Sequence, residues 1–477
     1  MAFSRKTLIS STIWKLLERF SSQAVSLIVS IVLARLLMPS EYGIVAIIMV
    51  FINLANVIID GGLNTALVQK KDADNIDFST IFYFCIGLAL VIYLLLFISA
   101  PFIADFYNND LLTPVLRVLS INLFINSLNS IQRAYVSKNM LFRKLFVCSF
   151  SSVVVSGVVG ILMAYMGYGV WALVAQYLFS SITTATIMWF TVKWRPILIF
   201  SRERFYGLFD YGWKIFLTNL IIAIYEDIRS LVIGKMYTPA SLAFFDRGKQ
   251  FPNLFMSNIN TSLQTVLLPA FADIQDDRTR VKQIMRRSMK LTNFFILPLL
   301  VGLMAAAKPF IICLLTEKWI GAVPFLRIFC VAFMMMPIQS SNMCAIKALG
   351  YSGTTLKLEI IKKVIEAIIL VVSFTIGIYA VAWGIVIYNF ICIFINLYPN
   401  QKYLNYSIME QIRDIIPILI PCLCMGAIVY SISFLGLSYL LTLVLQMIIG
   451  IIVYILLCVI LKLETFNYVL TMVKQRI

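Results

Sequence analysis

The chain contains no histidine, which removes the commonest general base and a common metal ligand. Charge is scarce. Asp, Glu, Lys and Arg make up 13% of the 477 residues, too little to clothe a soluble protein of this length. No Gly-rich loop runs into Lys-Ser or Lys-Thr, so the chain carries no sign of ATP hydrolysis. The longest hydrophilic connection, residues 272–290, is too short for an enzymatic domain. The nine cysteines fall mostly inside apolar stretches and read as small buried hydrophobes. Cys422 and Cys424 have no second pair and no histidine to complete a zinc site. The first apolar segment is not followed by a small-residue cleavage site and reads as a retained helix.

Apolar residues are what the chain has in excess: 61% of the sequence, with a mean hydropathy of +0.93. This composition predicts an all-α polytopic membrane protein with about 14 transmembrane helices, roughly 34 residues per span against about 20 needed to cross. The predicted spans are 11–37, 41–66, 80–104, 112–137, 144–166, 169–192, 208–236, 241–268, 288–314, 321–347, 355–378, 380–399, 411–434 and 437–461. The net charge of +17 is dispersed among short connections, so it does not point to nucleic acid. Alternate connections are rich in Lys and Arg, among them Lys70–Lys71, Lys138–Lys144 and Arg278–Lys290; those around Pro39, Asn108, Gly167 and Pro239 are poor. The positive-inside rule places the rich set, and both termini, in the cytoplasm.

Two apolar segments 200 residues apart carry the same polar stripe. Asn53, Asp60 and Asn64 align with Asn253, Asn260 and Gln264, and Pro39 with Pro239. Residues 11–70 and 211–270 share 12 identities in 60 positions, and "PVLRV" from Pro114 resembles "PFLRI" from Pro324. The expected organisation is a parallel repeat: a six-helix lobe over 1–200, a second over 201–400, and two additional helices with a cytoplasmic tail over 401–477. An amide or carboxylate in the bilayer must face another helix or a wet cavity. Polar faces fall on spans 1, 2, 4, 7 and 8, so these are expected to line a polar interior. The line on span 4 is Asn122, Asn126, Asn129 and Arg133; Lys15, Arg35 and Arg133 also admit a structural reading, as cations that snorkel toward headgroups. Glu359 and Glu366, seven apart on one face of span 11, read as a packing pair. Cations in a cavity suit an anionic cargo, and embedded carboxylates suit a coupling ion.

Several stretches resemble one family: "WKLLERFSSQ" from Trp14, "ARLLMPSEYG" from Ala34, "DGGLNTALVQKKD" from Asp60, "GYGVWALVAQ" from Gly167, "KWRP" from Lys193, "LLPAFADIQDD" from Leu267 and "EKW" from Glu317. The chain resembles polysaccharide flippases of the Wzx type, in the colanic and teichuronic acid export branch of the multidrug/oligosaccharidyl-lipid/polysaccharide exporter superfamily. The resemblance covers roughly residues 10–340. It departs at Ala243–Gly248, where Asp246 adds a carboxylate beside Arg247.

The resemblance implies a flippase that carries undecaprenyl-pyrophosphate-linked oligosaccharide repeat units across the bacterial inner membrane by alternating access. On this basis Arg19, Lys214, Arg229, Arg247 and Lys249 are the candidate pyrophosphate ligands, and Asn53, Asn56, Asn253 and Asn260 the candidate glycan ligands. Asp60 and Glu226 are the candidate sites for a coupling proton or sodium ion. Neither a catalytic residue, a bound metal nor a cofactor is expected. The expected partners are the lipid-linked cargo, membrane lipids, and a polysaccharide polymerase with its chain-length machinery; nucleic acid is not among them. A multidrug or cation antiporter of the same superfamily would prefer a carboxylate-dominated interior. A membrane glycan polymerase or ligase would need a long outward loop.

Overall fold

The computed structural model describes residues 5–474, apart from the side chains of 5–9, 11, 12, 16, 261–266, 268, 269, 272, 352 and 472–474. Gln264 of the repeat therefore lies outside the described residues. The described residues form α-helices and short 3-10 turns, without a strand among them. The chain divides into two compact units, Met1–Ala243 and Phe244–Ile477.

The first unit holds α1 (Arg5–Leu36), α2 (Pro39–Asp60), α3 (Leu63–Gln69), α4 (Asn75–Tyr107), α5 (Leu112–Leu119), α6 (Ile121–Lys138), α7 (Phe142–Tyr165), α8 (Val170–Thr191) and α9 (Arg202–Met236). The repeat boundary expected near residue 200 follows sequence symmetry. Packing assigns α9 to the first unit, because it lies against α2, α3 and α4. On α7 small residues let neighbours approach: a methyl added at Gly157 would meet Val29 of α1 at 2.4 Å, and one at Gly160 would meet Gln176 of α8 at 3.1 Å.

The turn between α2 and α3 is made by Gly61 and Gly62, with φ of +51° and +69°. These are left-handed conformations that a side chain disfavours. The backbone of α9 also closes on this turn. A Cβ at Gly62 would stand 2.4 Å from the Gly212 carbonyl oxygen and 2.9 Å from the Phe216 nitrogen.

The polar end of this unit is tied by charge. Lys70 pairs with the fully buried Asp77 at 2.7 Å, and Arg204 reaches Asp77 at 3.7 Å and Asp74 at 3.5 Å. Asp74 caps α4, and the Asp77 N–H that it accepts holds its carboxyl below the usual carboxylate range. The strap between α8 and α9 is pinned to the start of α4: Trp194 Nε1 donates to Asn75 Oδ1 at 2.5 Å, and the Ile197 and Ser201 amides donate to the Ser79 and Thr80 hydroxyls.

The second unit takes in most of α10 (Pro239–Ala272), then α11 (Arg278–Ala305), α12 (Ala307–Leu315), α13 (Ala322–Met334), α14 (Met336–Ala348), α15 (Ser352–Ile376), α16 (Ile378–Leu404), α17 (Ile408–Ser431), α18 (Tyr439–Ile460) and α19 (Glu464–Lys474). Phe245 packs edge-on against Phe325 and Phe329. A buried amide cluster joins three helices: Asn342 donates to Gln411 at 2.9 Å, and Asn400 donates to Asn342 Oδ1 at 2.8 Å. All three side chains are fully buried, so each amide relies on the others in place of water. At the N-terminal end of α17, Asp414 accepts from Arg286 at 2.5 Å, from Lys290 at 3.2 Å and from the Tyr406 hydroxyl at 2.7 Å.

The repeat is visible in the helix boundaries. α1 ends at Leu36 and α9 at Met236; α2 begins at Pro39 and α10 at Pro239. Further along the offset becomes 210: α5 and α13 begin at Leu112 and Ala322, α7 and α15 at Phe142 and Ser352. The copies differ at the Gly61–Gly62 turn, for α10 runs unbroken through the matching Thr261 and Ser262.

Among the described residues, ten helical segments are long and apolar enough to cross a membrane. The predicted spans on α6, α9, α10 and α15 fall outside that set; each carries the amides or charges that lower its hydropathy. Seven of the nine cysteines are buried, and all are free thiols.

Three substitutions test this packing. Gly62→Ala should cost about 2 kcal/mol through the left-handed backbone and the contact with α9. Gly87→Ala, which meets open space, should leave the melting temperature in detergent unchanged. Asp414→Asn, which weakens three partners at once, should cost about 1–3 kcal/mol, read as a lower melting midpoint.

Candidate functional site

The first unit has an open polar cavity of about 600 Å³ between α2, α3 and α6. The helical period explains its lining. Asn56 and Asp60 are one turn apart on α2, and Asn126, Ser130, Arg133 and Ser137 follow one face of α6. Asn64 and Thr65 enter from α3, aimed by the Gly61–Gly62 turn.

These groups bond to one another. The Asn64 amide donates to Asp60 Oδ1 and, at 3.1 Å, to the Ser130 hydroxyl, so a single side chain links α2, α3 and α6. Asn126 donates to Asn56 Oδ1 at 3.4 Å, while Asn56 donates back along its own helix to the Ile52 carbonyl. Asp60 is half-buried at the C-terminal end of α2. The negative end of that helix's dipole adds to the carboxylate's charge, so the position favours a bound cation. Arg133 lines the opposite wall on α6 and is the one cation among the described lining residues. The Glu18 carboxylate on α1 acts on it electrostatically. A cavity holding a carboxylate, a guanidinium and a row of amides and hydroxyls offers donors and acceptors to a hydroxyl-rich ligand, with a charged anchor on either side.

The structure gathers part of the predicted set. Asn56 and Asp60 line this cavity; Asn53, one turn earlier on α2, is exposed and does not. Arg19 is half-buried on α1. On α9, Lys214 and Glu226 are exposed and Arg229 is half-buried, and the Lys214 ammonium lies 5.9 Å from the Trp213 ring. None of these four is among the residues lining the cavity.

The remaining candidates lie in the second unit. Arg247 is 7% exposed, donates to Gln250 of the same helix at 2.6 Å and lies 5.2 Å from the Trp319 ring, the second contact joining α10 to the Glu317–Trp319 turn. Lys249 and Asn260 are half-buried on α10, and Asn253 is exposed.

Beyond the predicted ligands, Asn64, Thr65, Asn126, Ser127, Ser130, Arg133 and Ser137 supply the cavity's remaining polar lining. Arg133 stood on the predicted polar line of span 4, with snorkelling as its alternative reading. The polar line on α6 is in fact two faces: Asn126 and Arg133 face the cavity, while Asn122, Asn129 and Gln132 are buried within the unit. Spacing alone could have found the first face, since 126, 130, 133 and 137 step by four, three and four.

The succinoglycan biosynthesis transport protein ExoT of Rhizobium meliloti (strain 1021) is 23% identical over 345 residues, covering 72% of this chain and 70% of that protein. The lipopolysaccharide biosynthesis protein WzxC of Escherichia coli (strain K12) is 24% identical over 340 residues, covering 71% and 69%. Among solved structures, the lipid II flippase MurJ in an inward closed conformation superposes with a TM-score of 0.76 over 94% of this chain and 98% of that chain, at 17% identity; this likeness is one of fold. The profile of one family matches residues 32–324. With that match over more than half its length, the chain belongs to the polysaccharide biosynthesis protein family.

Proposed function

We propose that the protein is a flippase for lipid-linked oligosaccharide repeat units, carried on undecaprenyl pyrophosphate across the bacterial inner membrane for export of a surface or extracellular polysaccharide. The observation that carries this reading is the unit-one cavity: amides, hydroxyls, one carboxylate and one guanidinium, held by helices of a multi-pass apolar chain. Membership of the polysaccharide biosynthesis family and the transport role in the name of ExoT support it. The MurJ-like fold supports alternating access as the way the cavity changes sides.

In this reading the chain crosses the membrane fourteen times with both termini in the cytoplasm. The glycan is held by Asn56, Asn64, Asn126 and Ser130, whose amides and hydroxyls replace the water it leaves. Arg133 joins the earlier cations as an anion ligand. Asp60 binds the coupling proton or sodium ion, and the Asn64 amide reports its occupancy to α6 through Ser130. The product leaves to a polymerase with its chain-length machinery.

Deleting the gene should make lipid-linked repeat units accumulate on the cytoplasmic leaflet while drug sensitivity stays unchanged; the reverse pattern overturns the reading. Within the cavity, Arg133→Ala and Asp60→Asn should each cut export about tenfold or more, as expected for loss of a charged contact, with expression and melting preserved. Lys214→Ala, exposed and outside the cavity, separates the two sets of cations: if it alone abolishes export, the anion site lies on α9 and not at Arg133.

A further inference from the structure

A second polar cavity, of about 210 Å³, lies within the second unit between α14, α15 and α16. The repeat relates its first wall to the candidate site. With the offset of 210, Ser340, Met343, Cys344 and Lys347 of α14 match Ser130, Arg133, Ala134 and Ser137 of α6, and both quartets line their cavities. The same helix face is thus used twice with its charge rearranged. Met343 stands where Arg133 stood, and the cation has moved one turn on, to Lys347.

The facing wall supplies a second cation. Lys362 of α15 is 7% exposed, and its ammonium pairs with Glu359 at 2.5 Å. That carboxylate is itself 44% exposed, a thin compensation for a buried charge. An ammonium has three protons to donate, and one carboxylate oxygen takes one of them. The third wall is Asn396 of α16. It is 1% exposed, lines the cavity, and its Oδ1 has no hydrogen-bond partner among the described residues. A buried amide oxygen of this kind calls for a donor. Gln339 spends its amide N–H on the Asn389 carbonyl at 2.9 Å, which leaves its oxygen to accept as well.

We infer that this cavity is a binding site for a phosphate ester that carries hydroxyl groups. Lys347 and Lys362 take the phosphate oxygens; Glu359 is the one carboxylate among the described lining residues, and the nearby buried Glu366 is paired with Lys363. Asn396 Oδ1 and the Gln339 oxygen take the hydroxyl protons. The volume, about a third of the unit-one cavity, suits one such group and not a whole repeat unit. Lys347 is in the last turn of α14, at the end that the loop charges assign to the cytoplasm. The chemistry is shared by a phosphatidylglycerol headgroup of the inner leaflet and by a sugar phosphate.

The full chain in phosphatidylcholine nanodiscs tests this with two probes: phosphatidylglycerol, counted as adducts by native mass spectrometry, and glucose 1-phosphate, titrated by calorimetry. Wild type should bind at least one. Uptake of phosphatidylglycerol alone assigns the site to a membrane lipid, and binding of glucose 1-phosphate assigns it to a sugar phosphate. Lys347→Ala should weaken the binding about fivefold, and Lys347→Ala with Lys362→Gln at least tenfold. Should the double variant fail to fold, Lys347→Ala decides alone, since that side chain is exposed at a helix end. Binding of neither probe, or equal binding by wild type and Lys347→Ala, overturns the site.

Discussion

A polar side chain between apolar helices has no water to fall back on, and each buried group must be answered by a neighbour. This constraint organises both units. In the first, Asn64 answers Asp60 and Ser130. In the second, Asn342, Asn400 and Gln411 answer one another, and Asp414 gathers Arg286, Lys290 and Tyr406. Where the answers are incomplete, as at the Asn396 oxygen, a ligand is the natural partner. A missing partner marks a binding group only where the atom also faces a cavity, as Asn396 does; the Asn129 and Gln132 amides are buried within the first unit and lack partners without lining one.

The repeat supplies two copies of one scaffold, and divergence has made them chemically unequal. α10 is continuous where α2 and α3 are separated by glycines, and Asn260 stands where Asp60 does in the first copy. On the repeated α6 and α14, the cation shifts from Arg133 to Lys347. Helix starts and ends keep their spacing through these changes because they depend on proline at the first turn and on apolar length, which tolerate local substitution.

Most of the architecture could be read from the chain. Each predicted span coincides with one helix or two consecutive ones, because apolar length dominates hydropathy and a membrane helix satisfies its own backbone. The α5–α6 break at Ser120 was hidden, since it interrupts no apolar run; the α2–α3 break falls at Asp60-Gly61-Gly62, a turn signal that span length alone passes over. Site residues were legible only where helical spacing and partner coincided. Asn56 and Asp60 were found by the stripe on one helix. Arg133 stood on the polar line of span 4 but was not chosen as a ligand, because a cation that snorkels and a cation that lines a cavity have the same sequence signature until the facing helix is known. The buried setting of Lys362 was likewise invisible, since its charge could have faced headgroups as easily as the unit's interior.

The Gly61–Gly62 turn has a consequence for any attempt to stabilise the protein. Two alanines in its place would each gain about 1 kcal/mol of helix propensity, and a propensity-guided redesign would choose that change early. It would also fuse α2 to α3, as the other copy already does in α10, and swing Asn64 and Thr65 away from the wall they complete. The propensity counted for an ideal helix would be outweighed by the left-handed backbone and by the approach of α9 to Gly62, and the binding surface would be lost with it, so this pair of glycines marks where engineering for robustness should stop.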